Sequence, residues 1–266
     1  MEKKSFKTKM KDEFIRINEN NDKTFNLAII YTCIVLFLYC YFGSFSFFEK
    51  TFSSINNLQY LKIIYHNTMS FVLFFGGGLL FTKFVQKKQP SNFGLQTGNT
   101  KLGVKLVLIA LPICAICGLS CVLDGGMCST YPLINLKVYR SWEFVLGYYS
   151  SYFLYYIGWE YLFRGILLNS SKNKLGVLGA ILLTTLTSAL IHTSIAGFGK
   201  PMVETLSAIP AGLIFGYIAH KTKSIYPTLL IHFFVGFFTD IFIFLLAWLK
   251  FIKSIKSFLV WCFLLK

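Results

Sequence analysis

Charged residues are scarce in this sequence. Only 14% of its 266 residues are Asp, Glu, Lys or Arg, against about 25% in a typical soluble domain, whereas 55% are hydrophobic and 18% aromatic. A soluble domain of this length would need a far more polar exterior to cover so much apolar surface. A disordered chain is excluded because disorder requires low hydrophobicity. The composition therefore predicts a polytopic membrane protein.

Acidic residues are scarcer still than basic ones. The chain has 11 Asp and Glu against 26 Lys and Arg, which gives a formal charge of +15. The basic residues stand in short clusters between long apolar runs. That pattern is typical of the positive-inside bias and of attraction to anionic lipid headgroups. We therefore expect the lipid bilayer as a partner and no nucleic acid.

Paired cysteines and internal repeats are also missing. The seven cysteines are odd in number, and six lie in or beside apolar segments, so no disulfide framework is predicted. A redox or metal role for Cys114 and Cys117 is not expected in such surroundings. No repeat with a period of about 20–50 residues is visible, which is an argument against a transporter built from repeated halves.

Long apolar runs predict the membrane spans, since a helix needs about 20 residues to cross the hydrocarbon. Seven runs qualify, near residues 26–48, 62–82, 102–123, 142–168, 175–197, 203–219 and 225–249. Residues 251–265 are shorter, and we interpret them as an eighth span, an interfacial helix or a continuation of the seventh. The predicted fold is an all-α polytopic integral membrane protein with seven or eight transmembrane helices.

The distribution of lysine gives the expected orientation. Segments 83–101, 169–174 and 220–224 are richer in Lys than the alternate connections, so the positive-inside rule places them and the N-terminus in the cytosol. We predict a multi-pass protein of the cell membrane in four parts. These are a cytosolic basic tail, N-terminal transmembrane helices, a functional core and a C-terminal hydrophobic segment, at residues 1–24, 25–139, 140–245 and 246–266.

Ionisable residues inside the spans are few, and each costs about 2.5–3.5 kcal/mol to insert. The acids expected there are Glu160, Glu204 and Asp240. Glu160 and Arg164 are four residues apart on one helix face and can pair, while His192 and His232 lie deep in two later spans. These four side chains can converge only in a polar intramembrane cavity, enclosed by the last four helices. Such a site could perform acid–base chemistry on water, hold a metal or carry protons.

Three motifs in the second half of the chain resemble those of the CPBP family of intramembrane proteases, also called the CAAX-protease or Abi family. The family's first motif, Glu-Glu-x-x-x-Arg before Gly, corresponds to Trp159-Glu160-Tyr161-Leu162-Phe163-Arg164-Gly165. Its second, Phe-x-x-x-His, corresponds to Ser188-Ala189-Leu190-Ile191-His192. Its third, His-x-x-x-Asn, corresponds to His232-Phe233-Phe234-Val235-Gly236. The resemblance covers roughly residues 140–240.

The resemblance implies a bacterial intramembrane endopeptidase that cleaves a peptide or a membrane-protein segment, in peptide maturation or bacteriocin self-immunity. Glu160 would act as general base on a water held with His192 or His232, and the histidines would polarise the scissile carbonyl or stabilise the oxyanion. Arg164 would fix the glutamate. If a divalent metal such as zinc takes part, its ligands would be Glu160, His192 and His232.

The chain departs from the family's motifs at three positions. Trp159 replaces the first glutamate, to which the family assigns the activation of water, and Ser188 replaces the phenylalanine. Gly236 replaces the asparagine, a side-chain donor that could help an oxyanion. Two alternatives therefore stay open. One is a catalytically inactive scaffold or immunity protein that binds a membrane partner, and the other is a small transporter.

Overall fold

The computed structural model describes residue 7 and residues 22–135, 138–139, 141–193 and 199–264, with residues 250–264 described as helical backbone alone. These residues form helices joined by turns, and the described ranges contain no strand. The predicted all-α fold is confirmed. We number the helices α1 (Lys23–Phe42), α2 (Phe45–Thr51), α3 (Leu58–Val85), α4 (Thr100–Cys121), α5 (Gly125–Thr130), α6 (Trp142–Leu190), α7 (Met202–Thr222) and α8 (Tyr226–Leu264).

Short polar side chains begin several of these helices, because they accept hydrogen bonds from otherwise unpaired N–H groups of the first turn. The Asp22 carboxylate accepts from the N–H groups of Thr24 and Phe25 at 3.0 and 3.2 Å at the start of α1. Asn99 and Asp124 cap α4 and α5 in the same way. Most of the predicted tail lies outside the described residues.

Six helices of the described chain are long and apolar enough to cross a membrane: α1, α3, α4, α6, α7 and residues 226–249 of α8. A multi-pass membrane protein is therefore confirmed. The seven predicted runs correspond to six helices because the predicted spans 142–168 and 175–197 both lie in α6, on either side of a break in the helix at Gly176.

Gly176 breaks α6 and turns the chain back on itself. Its φ of 69° and ψ of 172° are not helical, and a residue without a Cβ adopts them without strain. Leu183, after the break, packs in the same apolar cluster as Trp159, before it. Glu160 and His192 are each sixteen residues from Gly176. At 1.5 Å per residue both lie about 24 Å from the turn, so the reversal brings them to the same level.

The last apolar stretch continues the helix before it. Helix α8 runs without a break from Tyr226 to Leu264. A helix of 39 residues is about 58 Å long, which exceeds the roughly 30 Å of hydrocarbon. Residues 251–264 are therefore a continuation of the seventh predicted run, and the interpretation as a separate eighth span is wrong.

Lys-rich segments meet at one end of the molecule, which we call the basic end. The Gln86 side chain donates to the carbonyl of Thr24 at the start of α1, at 2.9 Å. The N–H of Asn99 donates to the carbonyl of Thr222 at 2.8 Å, and the like charges of Lys172 and Lys223 are near enough to repel each other. These contacts bring together the segments expected on one side. The assignment of that side to the cytosol stays a prediction.

Gly176 divides α6 into a first arm, which carries Glu160, and a returning arm, which carries His192. Helix α7 packs against the returning arm at two glycines. A Cβ on Gly212 would lie 2.8 Å from Thr185, and a Cβ on Gly216 would lie 3.0 Å from Ile181. Small residues four apart allow two membrane helices to approach this closely. The contact holds the arm that carries His192 in place beside α7.

Candidate active site

The candidate site lies where the first arm of α6 meets α8. Every fourth residue of α6 from 148 to 164 faces this contact, and we call this set the α6 ridge: Tyr148, Tyr152, Tyr156, Glu160 and Arg164. Every fourth residue of α8 from 228 to 240 opposes it, and we call this set the α8 ridge: Thr228, His232, Gly236 and Asp240. The helices run antiparallel, so residue 148 meets residue 240 and residue 160 meets residue 232. Residues four apart share a helix face, so each ridge is continuous.

Glu160 and His232 make the central contact. The Oε1 atom of Glu160 is 2.8 Å from Nδ1 of His232, and the glutamate is fully buried, whereas 19% of the histidine side chain is exposed. Thr228, one turn before the histidine, also lies against the carboxylate. Since a carboxylate only accepts, Nδ1 is the donor. The Nε2 atom of His232 is then left to face away from the carboxylate.

Arg164 completes this buried group. Its Nη1 atom lies 3.6 Å from Oε1 of Glu160, which is an ion pair without a hydrogen bond. Its guanidinium also stands 5.5 Å above the ring of Phe215 from α7. The α6 backbone forms a π-helical turn over residues 161–167, a local distortion that occurs frequently at functional sites. The predicted pairing of Glu160 with Arg164 is present.

His192 joins the site from the other arm of α6 and contacts Trp159. Its Nδ1 atom is 2.8 Å from the carbonyl oxygen of Ser188, and its ring meets the Trp159 ring edge-on at 5.4 Å between centroids. Trp159 is 2% exposed, and it stands at the motif position of the first glutamate. An aromatic ring thus lies beside His192, where the family motif has a carboxylate.

The three predicted metal ligands do not form a metal site. Within the described ranges, no three His, Cys, Asp or Glu side chains are grouped so that they could hold a metal ion. One carboxylate oxygen of Glu160 is engaged by His232, and Nδ1 of His192 is engaged by its own helix. A catalytic zinc needs three converging protein ligands. The residues present do not fit a metal, and the ligand set expected from the sequence is not assembled.

Two tyrosine hydroxyls fill the space beside Gly236. A Cβ on this glycine would lie 2.5 Å from the Tyr152 hydroxyl and 2.7 Å from the Tyr156 hydroxyl. The two hydroxyls are 2.9 Å apart and hydrogen-bonded. The ring of Tyr156 packs on the ring of His232, with 4.4 Å between centroids. Any side chain at position 236 would have to displace these groups.

The far end of the two ridges holds a second buried acid. The Oδ2 atom of Asp240 accepts from the Tyr148 hydroxyl at 2.8 Å, and Oδ1 is buried with no hydrogen-bond partner among the described residues. Both residues are fully buried. No Lys, Arg or His of the described chain lies within ion-pair distance of this carboxylate.

Glu204, the third acid, forms a separate cluster at the start of α7. It accepts from the Tyr131 hydroxyl at 2.8 Å and pairs with Lys200 at 3.4 Å, and Lys200 also donates to Tyr131. Burial, and then the Glu204 carboxylate, raise the pKa of the Tyr131 phenol well above its ordinary value. The phenol therefore stays a donor, and this cluster satisfies its own hydrogen bonds.

The tyrosines of the α6 ridge were not among the residues predicted to belong to the site. Their signal was present in the spacing, because residues 148, 152 and 156 precede Glu160 at steps of four. Tyrosine in an apolar run is usually part of a core, so composition alone gave no reason to single them out. Lys200 carries a similar signal, because it is four residues from Glu204, whereas Tyr131 carries none, since only the folded chain brings its loop to Glu204.

Comparison with protein-family models finds a similarity in the second half of the chain. The family model described as Rce1-like, type II CAAX prenyl endopeptidase Rce1-like, matches residues 141–238. The range includes all three motifs and both ridges up to residue 238, and the match confirms the predicted resemblance. No curated protein and no solved structure matches the chain.

Proposed function

We propose that this chain is an intramembrane endopeptidase, on the premise that residues 141–238 are related to the CAAX endopeptidases. At the level of the family, the chain is a CAAX-type intramembrane protease. The observation that carries the finer proposal is the 2.8 Å contact between buried Glu160 and partly exposed His232. A carboxylate held against one ring nitrogen of a histidine prepares the other nitrogen for acid–base work.

We assign the role of general base to His232 rather than to Glu160. The glutamate is fully buried, and one of its oxygens is taken by Nδ1 of His232. Because Nδ1 carries the proton, Nε2 has the lone pair that can accept a proton from water. Glu160 then acts as a positioning residue, which fixes the tautomer and stabilises the imidazolium, as the acid of a catalytic triad does.

The proposed reaction is hydrolysis of a peptide bond. His232 Nε2 removes a proton from water, and the water oxygen attacks the scissile carbonyl carbon to give a tetrahedral oxyanion. When the intermediate collapses, the C–N bond breaks and the proton on His232 passes to the leaving amine nitrogen. His192 contacts Trp159, the residue next to Glu160, with 5.4 Å between ring centroids, and we assign it the polarisation of the scissile carbonyl.

The proposed substrate is a peptide or a membrane-protein segment that enters from the bilayer. The name of the matching family indicates a prenylated C-terminal peptide as a first probe. We also propose that the chain lies in the cell membrane with its basic end in the cytosol, as lysine-rich connections usually do. Fusions of a cytosolic fluorescent reporter to the start of α1 and to the segment after α7 test this orientation. Fluorescence from neither fusion would contradict it.

A non-catalytic scaffold or immunity protein is the second candidate. Trp159 favours it, because the family's water-activating position holds a buried indole that is 2% exposed. Such a protein would bind a membrane partner through the same helices without hydrolysis. Under this alternative, substitution of His232 would leave the cellular function intact as long as the fold is kept.

Mass spectrometry of membrane-protein N-termini distinguishes the two candidates. The cells produce the wild-type chain, Glu160→Gln or His232→Gln, with Glu49→Gln and His220→Gln as matched controls outside the site. We expect new N-termini with the wild type and both controls, and none with the two site variants. If wild-type cells gain no new N-termini and all variants support the same phenotype, the protease proposal is wrong and the scaffold is supported.

A further inference from the structure

Position 236 is a glycine without a side chain, and two tyrosine hydroxyls occupy the space beside it. The hydroxyls of Tyr152 and Tyr156 lie 2.5 and 2.7 Å from where a Cβ of Gly236 would stand. Both tyrosines are more than nine-tenths buried. They come from the opposite helix and fill the volume that a polar side chain at this position would occupy. The glycine therefore makes room for two phenol groups one helical turn from His232.

The hydroxyl pair has one hydrogen-bond donor to spare. Each hydroxyl carries one proton, and the two oxygens are joined by a single hydrogen bond of 2.9 Å. Whichever hydroxyl donates, the proton of the other has no acceptor in the described part of the chain. A buried donor without an acceptor costs free energy, so its presence in a folded protein calls for an explanation such as a functional role.

The spare donor lies next to the proposed base. The Tyr156 ring packs on the His232 ring at 4.4 Å between centroids, and the Tyr152 ring lies 4.8 Å from that of Tyr156, tilted by 50°. Neither tyrosine is hydrogen-bonded to Asp240. The hydroxyl that donates to this acid is that of Tyr148, which lies nearer to it on the α6 ridge. The hydroxyl pair therefore belongs to the His232 end of the ridge.

We infer that the hydroxyl pair of Tyr152 and Tyr156, admitted by Gly236, donates the hydrogen bond that stabilises the oxyanion of the cleavage reaction. This inference rests on the proposed function. No covalent bond to tyrosine forms or breaks. The phenol keeps its proton and donates a hydrogen bond to the carbonyl oxygen as that oxygen gains negative charge, and the contact is released when the intermediate collapses. The third motif of the family has asparagine at this position, and here the donor comes from α6.

The first experiment removes the hydroxyls without changing the rings. Tyr152→Phe, Tyr156→Phe and the double variant are purified in lipid nanodiscs and incubated with membranes from cells that lack this chain. The rate at which new N-termini appear is measured, and the cleaved peptide is synthesised to separate kcat from KM. The matched control is Tyr149→Phe, which lies on the same helix with its ring against Phe237.

We expect a characteristic non-additive result. Each single variant keeps one hydroxyl, whose proton is then free, so its kcat falls less than about tenfold. The double variant loses the donor, and its kcat falls about 10²–10³-fold with little change in KM, the usual cost of one oxyanion-hole donor. Tyr149→Phe stays at the wild-type rate.

The second experiment moves the donor back to α8. Tyr152→Ala with Tyr156→Phe opens the space beside position 236, and Gly236→Asn is then added to that background. We expect the added substitution to restore kcat at least tenfold, which a merely structural role of the tyrosines does not predict. This comparison also holds if the double phenylalanine variant is unstable.

The outcomes separate the two proposals. Wild-type cleavage with an equally active double phenylalanine variant overturns the oxyanion role and leaves the protease proposal standing. An inactive double variant that Gly236→Asn cannot restore in the opened background also counts against the role. A wild-type chain that cleaves nothing overturns both proposals together.

Discussion

The contact between α6 and α8 buries a carboxylate at each end, and the two ends differ in the partners of that carboxylate. Glu160 meets a histidine at 2.8 Å and an arginine at 3.6 Å. Asp240 meets a tyrosine at 2.8 Å, and its other oxygen has no partner among the described residues. Both acids are fully buried.

The difference indicates which end performs chemistry. Burial alone disfavours a charged carboxylate, and an arginine beside it offsets that cost. Glu160 has an arginine beside it, and it contacts a histidine whose side chain is 19% exposed. Asp240 has neither a bonded cation nor an exposed partner, so its role is to hold two helices together. The ridges thus place a reactive end and a structural end on one pair of helices.

The largest expected effect breaks the reactive end. His232→Gln keeps the size of the side chain but removes the proposed base, so cleavage should fall about 10²–10⁴-fold, the usual contribution of acid–base catalysis. The rate at which the synthesised peptide is cleaved by the protein in nanodiscs measures this. Asp240→Asn, the corresponding change at the other end, should cleave within about threefold of the wild type, since no step uses that acid. Equal losses from the two changes would contradict the assignment of roles.

The second prediction concerns stability. Arg164→Leu leaves the Glu160 charge buried without its guanidinium, and breaking a buried pair costs about 3–5 kcal/mol. Thermal unfolding in detergent, followed by circular dichroism, should show this as a large fall in Tm. Adding Glu160→Gln removes the orphaned charge and should recover part of the loss. If the double variant is less stable than Arg164→Leu, the carboxylate does not depend on the arginine.

The reactive end could be predicted from sequence because its geometry is local. Glu160 and Arg164 are four residues apart, and a helix places such residues on one face whatever the rest of the fold does. His232 could be added because an ionisable group in a span must find a polar partner. The cost of placing an ionisable group in the membrane therefore leaves few candidate residues. Glu160 and His232 are two of these candidates, and they meet in the structure.

The remaining features depend on contacts between distant segments. A reversal between the predicted spans 142–168 and 175–197 was expected in the connection 169–174. Its position at Gly176 inside one helical run was not, because glycine in an apolar segment indicates close packing as readily as a break. The three-residue metal set fails because residue type does not determine which way a side chain points. The tyrosines beside Gly236 escaped notice since their role exists only where α8 lacks a side chain.

The third prediction compares the helix crossings that support each end. A Cβ on Gly158 would lie 2.5 Å from the backbone of Ser70 in α3, and a Cβ on Gly118 in α4 would lie 2.7 Å from the backbone of Phe238. Overpacking at such places costs about 1–3 kcal/mol, so Gly158→Ala and Gly118→Ala should both lower Tm. Gly158 is two residues from Glu160, so only Gly158→Ala should also slow cleavage. Gly125→Ala, with nothing within 4 Å, is the control.

The smallest expected effect concerns the hydrogen bond at the structural end. Tyr148→Phe removes the donor to Asp240, and hydrogen bonds between membrane helices are worth about 0.6 kcal/mol on average. The loss should be near this value or somewhat larger, because the carboxylate then has no partner within the described part of the chain. Combining Tyr148→Phe with Asp240→Asn should recover stability, since an amide is cheaper to bury than a carboxylate. Thermal unfolding of the two single variants and the double variant gives the coupling energy. If the coupling energy of Tyr148 with Asp240 is as large as that of Arg164 with Glu160, the two carboxylates are stabilised equally by their partners. The proposed difference between the reactive end and the structural end would then be wrong.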